Sequence, residues 1–349
     1  MSDSLPIGGA VFAALVFFLK VPKLRDEPAT LRRQLIRLDP LGNVLFLPAA
    51  VCLLLALQWG GNTYAWSNAR IIALFALSGV LFTAFVGVQI WRQEDATVPP
   101  RILKQRSMAC GSVFSAMFPA GMFLMTYCLP IWFQAIKQVS ATQSAINVFP
   151  MTLGMMAGVT SSSVLVQKTG YYVPPMIAGV IVCSIATGLI TTWQVDSGSS
   201  VWIGYQAMYG IGLGFGMQQA LMAAQTVLPR EDVATGTALV FFWQGIGGAV
   251  FLCVSQTLLV NHLVSHLADL PGVDTNSVVS AGATEIQHIV AQDRLGDVLF
   301  VYNAGLRQAF YVAVGLSAAS IIPTLGMEWR SIKGEKIDGG EIHEHGQKQ

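Results

Sequence analysis

Residues 39–91 constrain this chain more than any others. They hold two apolar runs, DPLGNVLFLPAAVCLLLALQ and ARIIALFALSGVLFTAFVGVQIW, joined by a short turn rich in Gly, Asn and aromatic residues. A helix needs about 20 apolar residues to cross the ~30 Å hydrocarbon core of a bilayer, and each run is that long. Nothing in the pair could fold as a soluble domain, so the segment is a membrane-embedded hairpin.

Apolar runs recur along the chain at 5–21, 108–133, 144–166, 173–193, 201–228, 234–260 and 304–329. With the hairpin, that makes nine candidate spans. Only 11% of the 349 residues are charged, against about 25% in an average soluble domain. Strand-like alternation is absent and lipid-facing backbone must satisfy its own hydrogen bonds, so the spans are helices. The expected fold is an all-α polytopic membrane protein. A net charge of +1 excludes a nucleic-acid partner, because no basic surface is concentrated enough to neutralise phosphates. Cys52, Cys110, Cys128, Cys183 and Cys253 all lie inside apolar runs and read as small core residues. No metal and no cofactor is expected. The first run follows Asp3 and no basic residue, unlike a secretory signal.

Charge sets the orientation. The loop 22–38 and its flanking Lys20 carry six Lys and Arg, which places the loop in the cytoplasm. Threading the spans from there puts sixteen basic residues inside and four outside: Arg70, Lys137, Arg294 and Arg307. The C-terminus is then cytoplasmic and the N-terminus external. The layout that follows is a helix at 1–21, the basic loop at 22–38, the hairpin at 39–91 and a second cytoplasmic loop at 92–107. A six-helix bundle at 108–329 comes next, containing a long external loop at 261–303, and a polar tail closes the chain at 330–349. The pattern ATEIQHIVAQDRLGDVLFVY suggests an amphipathic surface helix in that loop. His262, His266 and His288 lie in or near it and lack a third ligand at a telling spacing, so they read as surface residues.

Several motifs carry a family resemblance. LPIGG at 5–9, LLLALQWGG at 53–61 followed by YAW, LPIWFQAIK at 129–137, GYYVPPMI at 170–177, WIGYQ at 202–206 and GIGLGFGMQQ at 210–219 resemble the major facilitator superfamily. The nearest likeness is to its fungal fourteen-helix multidrug and toxin efflux branch, the drug:proton antiporters. The resemblance implies that residues 1–21 correspond to the last helix of the N-terminal half and the hairpin to the extra pair of the fourteen-helix branch. The six-helix bundle then corresponds to the complete C-terminal half, with about five N-terminal helices missing. It implies a membrane efflux transporter, not an enzyme, that exports a small organic drug, toxin or secondary metabolite by alternating access. Protons are a partner only in a full-length form. The alternative is a transport-inactive remnant, or a partial chain that needs a separate N-terminal half. The expected location is the plasma membrane, with the vacuolar membrane as the alternative.

The same family pattern places the spans 108–133, 144–166, 201–228 and 234–260 on a cavity. Their polar and aromatic residues, Tyr127, Gln134, Tyr205, Gln206, Gln218, Gln219, Phe242, Trp243 and Gln244, read either as lining for a bulky, weakly polar ligand or as hydrogen-bonding glue between helices. Both readings stay open. Gly154 with Gly158, Gly210 with Gly214 and Gly212 with Gly216 form small-xxx-small pairs, which suit close helix packing and not phosphate binding. Pro119, Pro130 and Pro150 lie in or beside cavity spans as candidate bends. No Asp, Glu, Lys or Arg occupies the middle of a span, so a proton-relay carboxylate is not evident.

Overall fold

The computed structural model describes residues 39–333 apart from 62, 94–95, 272 and 282–285. The expected first span, the basic loop 22–38 and the tail after 333 lie outside the described residues. Among the described residues, seven helices are long and apolar enough to cross a membrane. The hairpin gives α1 (Pro40–Trp59) and α2 (Ala69–Arg92), and a short α3 (Pro100–Leu103) follows. The bundle begins with α4 (Arg106–Ala135), then α5 (Ala141–Asn147) running into α6 (Phe149–Thr169), and α7 (Val173–Ile190). Later come α10 (Val233–Leu267) and α13 (Leu295–Ala319), which continues into α14 (Ile321–Gly326). The expected span 201–228 is a broken helix, α8 (Ser199–Met217) and α9 (Gln219–Val227), interrupted at Gln218.

Local chemistry sets the ends of these elements. The Asn68 side chain caps α2 by accepting the Arg70 N–H at 3.0 Å, and the Ser140 hydroxyl caps α5 by accepting from Gln143 at 3.2 Å. α6 stops at Gly170, whose φ of +81° a side-chain-bearing residue would resist. Val173, Pro174 and Pro175 open α7, where a missing N–H costs nothing. The expected loop 261–303 is shorter than the sequence suggested. α10 continues to Leu267 and α13 starts at Leu295, and among the described residues between them are α11 (Thr275–Ala281) and α12 (Ile286–Ile289). Val298, Leu299, Tyr302 and Leu306 are buried on one face of α13, so the amphipathic stretch is in part the first turns of the last span.

α4 is the centre of the bundle, 61% buried over its most apolar stretch, with α10 and α13 packed on it. α8 packs on α6 and α7, and α7 meets α13. Alternate glycines of α8 face different neighbours. A Cβ built on Gly210 would run into the Met151 carbonyl of α6, and one on Gly214 into that of Met155. Gly212 faces α7, where a Cβ would come within 2.7 Å of the Cys183 nitrogen, and Gly216 lies against Gly179 of the same helix. From the other side, Gly154 and Gly158 of α6 meet the carbonyls of Ala207 and Ile211. Three helix backbones thus touch through glycine alone.

The loops gather on two faces. On one, Arg101 grips Asp232 with two hydrogen bonds of 2.8 Å, Arg106 donates to the Gly326 carbonyl at 2.7 Å and Tyr172 to the Glu328 carbonyl at 2.6 Å. The other face holds the hairpin turn, where Gly61 has φ +75° and Arg70 donates to the Tyr64 hydroxyl at 2.6 Å.

Candidate functional site

The break at Gln218 follows four glycines in seven positions, a stretch with little intrinsic helix preference. The Gln218 side chain is exposed. Gln219 is buried, and its amide donates to the Phe215 carbonyl at 3.0 Å, leaving its own carbonyl oxygen without a partner. An interrupted membrane helix carrying buried amides is the kind of element around which transporter sites are built.

Gln206 is also fully buried. Pro150 has no N–H to give, and the Met151 N–H turns to the Val148 carbonyl. The Asn147 carbonyl at the α5–α6 joint therefore accepts the Gln206 amide at 3.2 Å, while Gln206 Oε1 stays unpartnered. Gln134 reaches the same joint through the Ser144 hydroxyl, at 3.4 Å. Tyr205 packs half-buried against the core beside them.

The remaining candidates lie elsewhere. Tyr127 on α4 is 38% exposed and hydrogen-bonds to Gln256 of α10. Phe242 and Trp243, at 5.7 Å from each other, turn toward the hairpin, with Phe46 of α1 at 5.0 Å from Phe242. Gln244 is half-buried, on the same face as Gly247 and Gly248, which abut α4. The nine residues are thus divided between the α5–α6 joint, the α8–α9 break, the α4–α10 seam and the hairpin groove.

One buried polar cluster was not singled out from the sequence. Asn303 of α13 accepts from the Trp132 indole at 2.8 Å and donates to the Trp193 carbonyl at 3.1 Å. Lys137 sits above the Trp132 ring and donates to the Val195 carbonyl at 2.7 Å; burial pushes its pKa down, opposed by Asp196. A lone Asn in an apolar run was the available signal. His262 and His266 stack at 4.0 Å, and among the described residues no three His, Cys, Asp or Glu side chains gather to hold a metal.

No family profile matches the chain, but curated proteins do. It is 43% identical over 333 residues to the MFS-type transporter VdtG of Byssochlamys spectabilis, covering 95% of this chain and 60% of that protein. It is 42% identical to the rubrofusarin-specific efflux pump aurT of Gibberella zeae, with 96% and 61% covered. To the efflux pump aflT of Aspergillus parasiticus it is 44% identical, with 95% and 65% covered. The chain belongs to the major facilitator superfamily. It spans about 60% of the length of these relatives. As a major facilitator chain it presents α4, α5–α6, α8–α9 and α10 as the four helices on which a shared cavity was expected. Of these, α5–α6 and α10 are only 22% and 28% buried over their most apolar stretches.

Proposed function

We propose that this chain forms part of a membrane efflux transporter that exports a small, weakly polar organic compound by alternating access. The observation that carries the reading is the broken helix α8–α9. It presents an exposed Gln218 and two buried amides with free acceptor oxygens in a glycine-rich helix that, unlike its neighbours, is not among the seven apolar enough to cross a membrane by composition. A ligand hydroxyl or amine would satisfy such acceptors once the helix shifts. Relatives named as efflux pumps supply the direction of transport, and a secondary metabolite is the substrate class that the rubrofusarin pump's name suggests. The face with Arg101, Asp232 and the residues after Gly326 is assigned to the cytoplasm by the sixteen-to-four charge bias.

Transport is assigned to an assembly that also contains the remaining part of the relatives' length, and any proton coupling to residues in that part. The spans here carry no mid-membrane carboxylate to load a proton. The test is efflux from cells lacking their own pumps, with the chain expressed alone and together with that remaining part. Export is expected only in the second case, and Gln218→Leu should then change rate or substrate range with insertion intact. Energy-dependent export by the chain alone would overturn the partial-chain assignment. Unchanged efflux of every compound after Gln218→Leu and Gln219→Leu would overturn the site.

A further inference from the structure

One apolar space among the described residues belongs to neither the glutamines nor the α8–α9 break. Between the hairpin and α10 lies a cavity of about 500 Å³, walled by Phe46, Phe82, Phe85, Phe242 and Trp243. A second cavity of about 310 Å³ shares Phe46, Phe82, Phe242 and Ile246 with it and continues along the same seam to Leu53 and Val250. Along α10 the walls run from Phe242 to Val250, about 12 Å of helix. Adding the Leu103–Lys104 end brings the groove close to the depth of one leaflet of a ~30 Å hydrocarbon core. The two spaces follow one seam and are almost wholly apolar, which suits an acyl chain.

Its charged end is defined as well. Lys104 is the one charged residue among the described residues lining the first cavity, and it is exposed at the membrane face where the loops of α3 and α14 lie. Among the described residues, the neighbouring cations are already engaged. Arg101 is held by Asp232, Arg106 by the Gly326 carbonyl, and Arg92 has a partner of its own. The Trp243 indole nitrogen is buried without a hydrogen-bond partner, a donor of the kind an ester carbonyl satisfies. Gln89 is spent in accepting the Val98 N–H at 2.7 Å.

We propose that the seam between the hairpin and α10 is a binding site for an anionic phospholipid, with an acyl chain in the groove and the headgroup phosphate at Lys104. A basic residue at the mouth of a pocket between membrane helices is suited to an anionic headgroup, and the lysine stem covers apolar wall while its ammonium stays at the interface. The lipid would mortar the hairpin to the bundle where few side chains join them. This site is separate from the proposed substrate route, and neither stands or falls with the other.

The purified full chain in mixed micelles, titrated with acyl-brominated phosphatidylserine or phosphatidylcholine, reports contact through tryptophan quenching. A saturable component present in the wild type and missing in Trp243→Phe is expected. It should half-saturate at about fivefold less phosphatidylserine than phosphatidylcholine, and Lys104→Gln should abolish that preference. Equal half-saturation for the two headgroups, a preference retained in Lys104→Gln, or a saturable component surviving Trp243→Phe would each overturn the site. Should Trp243→Phe fold poorly, native mass spectrometry of the wild type and Lys104→Gln decides. Less retained phosphatidylserine in the variant supports the site, and equal retention overturns it.

Discussion

α1 and α2 are the most apolar of the membrane-length helices and among the least buried, at 22% and 17% over their most apolar stretches, with α5–α6 also at 22%. The α6–α7–α8 group is less uniformly apolar and packed until backbones touch. In water this order would be reversed, because burying apolar surface is what drives packing there. In a bilayer lipid tails are as apolar as leucine, so association comes from shape, close approach and interhelix hydrogen bonds. α8 has the small residues that let it approach its neighbours, and the hairpin does not need them. The hairpin meets the bundle through a few polar contacts and an apolar seam.

Glycine substitution should break this contrast most severely. Gly210→Val drives a branched side chain into the Met151 carbonyl, backbone that cannot turn aside. Overpacking of that kind costs about 3 kcal/mol, seen as loss of a monodisperse species and a lower thermal midpoint. Gly87 of α2 has open space where its Cβ would lie, so Gly87→Val should stay within about 0.5 kcal/mol. If the two variants lost equal stability, the division into a tight and a loose region would fail.

The Asn303 cluster tests whether the tight region also depends on polar anchors. Asn303→Leu leaves the Trp132 indole and the Trp193 carbonyl without their Asn303 hydrogen bonds. Orphaning buried groups should cost about 2 kcal/mol. The measurement is thermal unfolding followed by tryptophan fluorescence, which both rings would report. An unchanged midpoint would mean that water or a neighbour replaces the amide.

A smaller effect is expected where the linker grips the bundle. Asp232→Asn removes the charge from a pair whose Arg101 side chain is 53% exposed, so the loss is about 1 kcal/mol and shrinks as salt is added. Lost stability independent of ionic strength would point to buried hydrogen bonding instead of charge.

How much of this was legible in the sequence depended on the kind of signal. Span positions could be read because every membrane helix must be long and apolar. The glycine pairs Gly210–Gly214 and Gly212–Gly216 could be read as packing motifs, but not that they serve two different partners, since that depends on where α6 and α7 lie around α8. The start of α13 was missed because its first turns mix polar and charged residues with the buried apolar ones and lack a uniform apolar run. Among the site candidates, adjacency in sequence misled. Gln244 is next to Trp243, yet the ~100° turn between consecutive helix residues sends one toward α4 and the other toward the hairpin. Gln206 was singled out as a polar residue, but its partner at Asn147 became free only through the Pro150 break.

The finest test of the contrast is Thr257→Val. The Thr257 hydroxyl of α10 donates to the Leu57 carbonyl of α1 at 2.6 Å, one of the few polar ties between hairpin and bundle. Valine keeps the shape and removes the donor, and the Leu57 carbonyl, in the last turn of α1 where the Gly61 N–H turns to Tyr64, loses its partner. Interhelix hydrogen bonds of this type average about 0.6 kcal/mol in membrane proteins, so global unfolding should barely change. The hairpin should loosen nonetheless. Spin labels on Val80 of α2 and Phe300 of α13, both exposed, should show a broader distance distribution in the variant, with the bundle's own distances unchanged. A distribution as narrow as the wild type's would show that the apolar seam positions the hairpin without this bond. Broadening within the bundle as well would show that hairpin and bundle are one mechanical unit, despite their different packing.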